Sequence, residues 1–108
     1  MIELVTLPQA KEHLRIDDDA GDADLLLKIQ AGSAVLLSYI QESRDKVVDG
    51  DGNLIQGESL LRMQESLLRL LGYLDRNRNG EEEEKLQQGE LPFSVTMLIY
   101  DLRRPTII

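Results

Sequence analysis

The chain has 108 residues, a net charge of −8 and a pI near 4.5. That suits one domain over 1–108 and works against tight DNA binding, because affinity for phosphate comes largely from Lys and Arg displacing counterions. With no cysteine, one histidine, no tryptophan and one phenylalanine, the sequence offers no disulfide, no thiolate metal site, no cysteine nucleophile and few platforms for stacking bases. No apolar run approaches the roughly 20 residues that span a bilayer, and "MIELVTLPQA" has neither the basic start nor the apolar core of a signal peptide. The expectation is a soluble protein with no membrane partner.

The first predicted element is a short helix over about 7–15. Thr6 and Gln9 have capping-box spacing, Pro8 falls in the first turn, and Ala10, His13 and Leu14 are the candidate inward positions. His13 has no visible catalytic partner, so it reads as a packed or half-exposed side chain. After the acidic turn "DDDAGDAD", a long helix is predicted over about 22–42, with Asp22 as its cap and Asp24 complementing the positive end of the helix dipole. Leu25, Leu26, Ile29, Ser33, Leu36, Leu37 and Ile40 recur at three- and four-residue intervals and form one stripe. The small residues "AGSA" leave room for another helix to approach. Leu27, Val35 and Tyr39 lie off the centre of that stripe, which makes the helix apolar around more of its circumference than a monomer requires.

Glycines and Asp-Gly pairs then break the helical period, and a β-hairpin or extended loop is expected over about 45–57. So short a hairpin depends on a neighbouring surface, and Val47, Val48, Leu54 and Ile55 become a candidate interface for another subunit or a different partner. The next helix, about 58–76, puts Leu60, Met63, Leu67, Leu70, Leu71 and Leu74 on one face and reads as the centre of the core. A glutamate-rich loop follows. The last predicted helix, about 92–103, opens near Pro92 and closes at Arg103, Arg104 and Pro105, cations suiting a helix C-terminus. The fold class expected is therefore mainly α: a small four-helix domain with a long central helix pair.

Three acidic stretches imitate calcium loops, and each fails at the twelfth position, where a bidentate carboxylate is needed. That position is Leu86 counting from Asp75, Lys28 from Asp17 and Leu60 from Asp49. Capping, turn chemistry and solvation explain these acids better. Ser33, Ser38, Ser59 and Ser66 sit in helical patterns without a nucleophile elbow, and no phosphate-cradling glycine loop is present. The expectation is no enzyme, no cofactor and no metal site. Two other readings stay open: a small helical dimeric regulator or partner-binding module, and a magnesium-dependent helical phosphohydrolase, which would need acids one turn apart on inward helix faces.

The order of segments resembles a known family. "LPQAKEHLRIDDDAGDADLLLKIQAGSAVLLSYI", a glycine-bearing insertion, "LLRLLGYLDRNR" and "LPFSVTMLIYDLRRP" are together similar to the small head-tail connector proteins of long-tailed bacteriophages, also called head-completion or adaptor proteins. The parts that carry the resemblance are Leu14-Arg15-Ile16 ahead of the aspartates and long helix, Tyr73 to Arg78, and the Leu91-Pro92 segment ending in Arg103-Arg104. It implies a homo-oligomeric ring of about twelve subunits with closed symmetry, made in the host cytoplasm and lodged at the virion head-tail junction. Such a ring would join the portal protein to a tail-side completion protein and let DNA pass without sequence-specific binding. Arg103, Arg104, Ile107 and Ile108 form the candidate portal-docking tail.

Overall fold

A computed structural model describes residues 2–76 and 91–102. Four α-helices occur in it: α1 (Leu7–Leu14), α2 (Asp22–Ile40), α3 (Glu58–Arg76) and the single-turn α4 (Phe93–Thr96). One hydrophobic core unites them, with α3 at its centre, packed by α2, α1 and α4 on successive flanks. The protein is mainly helical, as the periodicity requires.

α1 begins as its sequence dictates. The Gln9 N–H donates to Thr6 Oγ1 at 3.3 Å and the Thr6 N–H to Gln9 Oε1 at 2.8 Å, which closes the capping box. It ends at Arg15, which takes the left-handed conformation (φ 59°) while the Ile16 N–H returns to the Lys11 carbonyl at 2.9 Å. Of the expected inward positions, Ala10 is fully buried and Leu14 half-buried, but His13 is exposed.

The acidic turn has a different use from the one its spacing suggests. Asp22 is the first residue of α2 rather than its cap, which is Gly21. Its carboxylate lies 2.9 Å from Lys11 Nζ, and that of Asp19 lies 2.8 Å from the same ammonium. Two carboxylates thus clamp a lysine of α1 beside the start of α2. The Lys11 hydrogen bond, followed by its charge, holds Asp19 below its ordinary pKa, and the bonds that Lys11 donates to Asp19 and Asp22 raise its own. A depressed carboxylate contributes stability that is present above its unfolded pKa and lost as pH falls through the folded one. A raised lysine contributes stability present below its unfolded pKa and lost on the alkaline side. The expected result is that Asp19→Asn lowers the neutral plateau of melting temperature against pH slightly and flattens the acid limb by the same amount, so that the two curves converge below the ordinary carboxylate range. An acid limb identical to that of the unsubstituted protein would remove the clamp from the stability account.

α2 carries most of its predicted stripe: Leu25, Ile29, Ser33, Leu36, Leu37 and Ile40 are buried, while Leu26 is only half-buried. With 19 residues and a mean hydropathy of 1.3 over its most apolar window, α2 also has the length and composition of a membrane span. Lys28, Gln30 and Ser38 punctuate the helix, so no unbroken apolar run marks it in the sequence. Its buried residues serve the protein core. Helix α2 stops at Ile40, two residues before its expected end, where Gln41 adopts φ 53°, ψ −117° and the chain continues as a 3₁₀ turn over Glu42–Lys46.

The N-terminal segment is a strap that sequence periodicity does not reveal. Leu4 and Val5 are buried. The Leu4 N–H donates to Ser33 Oγ of α2 at 3.0 Å, and Gln64 Nε2 of α3 donates to the Leu4 carbonyl at 2.9 Å. A short non-helical stretch thereby ties the two long helices together. Ser33→Ala would orphan the buried Leu4 N–H. An unpartnered buried donor costs about 1–3 kcal/mol, and alanine returns about 0.5 kcal/mol in helix propensity. A net loss of about 1 kcal/mol in urea unfolding is expected, and an unchanged midpoint would mean that water replaces the serine.

Residues 47–55 form no strand. A single antiparallel bridge joins Val48 to Leu54, supported by Ile55 N–H to Val47 O at 2.7 Å and Asp49 N–H to Asn53 O at 2.9 Å. At the tip, Asp49 Oδ1 accepts the Asp51 and Asn53 N–H groups, both at 2.9 Å, and Gly52 takes the left-handed φ of 84°. That carboxylate is consumed by its own turn.

α3 matches its sequence reading: Leu60, Met63, Leu67, Leu70 and Leu71 are buried and Leu74 half-buried. The predicted helix over 92–103 is broken. After one α turn the chain continues through turns into a 3₁₀ segment at Tyr100–Leu102, with N–H to carbonyl bonds spanning three residues at Ile99 and Leu102. Val95, Ile99 and Leu102 still face the core, and the Ser66 hydroxyl of α3 donates to the Val95 carbonyl at 3.0 Å.

Candidate functional site

The surfaces left over once the core is filled are where function can reside. On α2, Leu27 is 62% exposed and Val35 47%. Beside them, Ala31 and Ala34 are also open to solvent. These residues share the side of α2 turned away from the core, as their offset from the buried stripe predicts. With Ile2, Leu37 and Arg44, the residues Leu27, Ala31 and Ala34 line a groove of about 250 Å³ whose floor is the buried Leu37. A second apolar edge lies along and after α4, where Phe93 (78%), Met97 (51%) and Tyr100 (68%) stand clear of the protein. Sequence reasoning missed it. The signal was present: 93, 97 and 100 recur at helical spacing, offset from the buried 95, 99 and 102.

The expected hairpin surface divides in two. Val47 and Val48 turn into the protein's own core, at 0% and 6% exposure, because the 3₁₀ turn after Gln41 brings the chain back against α2. They present nothing to a neighbour. Leu54 is half-buried against the core and Ile55 is exposed, so those two are the accessible part of that candidate interface. Arg103, Arg104, Ile107 and Ile108 lie outside the described residues, as do the calcium-like positions Asn77, Asn79 and Gly80.

A shallow cleft between α1 and α3 is lined by Val5, Glu12, His13, Leu61, Glu65 and Leu68, among others. It brings His13 near two carboxylate-bearing residues but no nucleophile. Among the described residues, no three His, Asp or Glu side chains converge as a metal site would require. The acids that do converge, Asp19 and Asp22, close on Lys11.

The structure therefore offers apolar surface and turn chemistry, with no assembled reaction centre among the described residues. The family model for phage gp6-like head-tail connector proteins matches residues 4–103. The chain belongs to that family. The match runs from the Leu4 strap through every helix. Comparison with curated proteins and with solved structures gave no match. As a head-tail connector, this is a bacteriophage structural protein of a non-enzymatic family, a virion component at the junction of head and tail that associates with other head and tail proteins.

Proposed function

We propose that this connector assembles as a closed ring of about twelve copies, in keeping with the closed symmetry of most oligomers, between the portal and the tail-side completion protein, and continues the DNA channel. The observation that carries the reading is the uncovered face of α2. A chain of 108 residues that leaves Leu27 and Val35 about half or more exposed beside two alanines has an apolar patch of the kind that marks protein contacts. A net charge of −8 per copy suits a conduit, since acidic walls repel DNA phosphates and let the genome slide. Arg103, Arg104, Ile107 and Ile108 then supply a cationic and apolar tail for docking on the portal.

The test is native mass spectrometry of the purified chain over a range of concentrations, alone and with portal. A closed ring in either condition supports the proposal. A discrete dimer that persists with portal present would replace it with the regulator reading. For the tail, deleting residues 106–108 is expected to weaken portal docking with the melting temperature unchanged, and full docking by the truncated chain would dismiss that role.

A further inference from the structure

The ring reading does not say which surfaces meet. Two uncovered apolar features lie on different elements of the protein, and they differ in the size of their exposed side chains. The α2 groove has the small residues Ala31 and Ala34 in its lining. The segment along and after α4 carries three large exposed side chains, Phe93, Met97 and Tyr100. Both are exposed, so neither covers the other within one copy.

We infer that successive copies meet head to tail, with the Phe93–Met97–Tyr100 edge of one copy seated in the Ala31–Ala34 groove of the next. This rests on the ring reading and supplies its interface. Charge supports this occupant. Arg44 stands on the groove's rim, exposed, with no ion pair among the described residues. Asp101, next to Tyr100, has a side chain 80% exposed whose only ion pair among the described residues is a long 3.5 Å contact with Arg62. Seating the aromatic edge in the groove brings Asp101 toward Arg44, and the guanidinium can also lie over an aromatic ring, an arrangement that desolvation strengthens. A two-fold pairing of α2 with α2 would hide the groove and leave the three bulky side chains in water. The head-to-tail contact hides both surfaces, and repeated contacts of that type close into rings when the rotation permits.

The absence of cysteine makes disulfide trapping a clean test. Ala34→Cys and Met97→Cys both alter exposed positions, and equal melting temperatures of the reduced variants check the fold. Mixed in equal amounts at high concentration and oxidised, the two variants are expected to give the mixed disulfide, one chain of each, in several-fold excess over either self-linked dimer. Only Cα atoms within about 7 Å can be bridged. A variant carrying both substitutions should yield a ladder of linked oligomers. Adding Arg44→Asp to the Ala34→Cys chain should lower the mixed yield several-fold, and adding Asp101→Arg to the Met97→Cys chain should restore it.

Self-linking of Ala34→Cys as readily as mixed linking would overturn the inference in favour of a two-fold contact. No linking of either kind would overturn it too, and would assign the groove to a different protein. The subunit number of the unsubstituted chain, read separately by native mass spectrometry alone and with portal, keeps the two conclusions apart. A closed ring without the mixed disulfide ends the surface pairing alone, whereas the mixed disulfide without a closed ring ends the ring alone.

Discussion

Leu67→Ala is expected to lower the unfolding free energy by about 3 kcal/mol, within the roughly 2–5 kcal/mol that deletion of a buried leucine side chain costs. Leu67 is fully buried at the middle of α3, where it meets the backbone of α2 directly: a methyl group placed on Gly32 would come within 2.7 Å of Leu67 Cδ1. No side chain at the facing position can swing into the space left behind, because the facing residue has none. The cavity therefore stays open, which puts the cost toward the middle of the range rather than its floor. For a domain near 100 residues, each kcal/mol shifts the melting temperature by about 4–8 °C, so a fall of about 12–24 °C is expected. Thermal and urea unfolding measure it. A fall of less than about 1 kcal/mol, the scale of an ordinary point substitution, would show that α2 and α3 collapse onto the vacancy and that their close contact is soft.

Gly32→Leu attacks the same contact from the other side and is expected to cost about 2 kcal/mol net. The first added carbon already stands 2.7 Å from Leu67 Cδ1 and 3.6 Å from Leu70 Cδ2, and the rest of the side chain would follow into a region filled by buried residues. Overpacking of this kind costs about 1–3 kcal/mol or more. Gly32 lies inside α2, so its replacement also returns about 1 kcal/mol of helix propensity. The steric cost prevails because Gly32 is itself buried against Leu67 and Leu70, so four added carbons need more room than a shift of one side-chain end supplies. A sharper version combines the sites. In the Leu67→Ala background, Gly32→Ala should become stabilising, since the added methyl fills part of the cavity and the helix gains propensity. Neighbours that share a contact show this non-additivity. Additive effects of Gly32→Ala and Leu67→Ala in urea unfolding would mean that the two residues do not press on each other.

Much of the fold was legible because helical burial is periodic, and a period can be read from one dimension. The stripe from Leu60 to Leu74 and that from Leu25 to Ile40 identify α3 and α2, and "AGSA" correctly marks a place of close approach, at Gly32. The capping box at Thr6 and Gln9 is local chemistry and was equally readable. Other contacts join residues distant in sequence and leave no periodic trace. The Leu4 strap bridges Ser33 and Gln64, and the clamp on Lys11 takes Asp19 and Asp22, whose spacing from a lysine eight and eleven positions earlier announces nothing. Val47 and Val48 illustrate the same limit. Two adjacent valines in a glycine-rich stretch suit a projecting hairpin or an inward turn alike, and the positive φ at Gln41 precedes the turn that takes them inward.

The candidate interface divides along that line. Sequence alone determined the membership of the two long helices, the family to which the order of segments belongs, and the surplus of apolar surface at Leu27 and Val35, since each follows from residue type and spacing. Only the tertiary structure decided which apolar residues remain uncovered. Val95, Ile99 and Leu102 are buried in the core, which turns Phe93, Met97 and Tyr100 toward solvent, and α1, α3 and the strap leave the Ala31–Ala34 side of α2 bare. The reason is geometric: a helical period states which side chains share a face, but whether a face is covered depends on where the other elements come to rest in three dimensions.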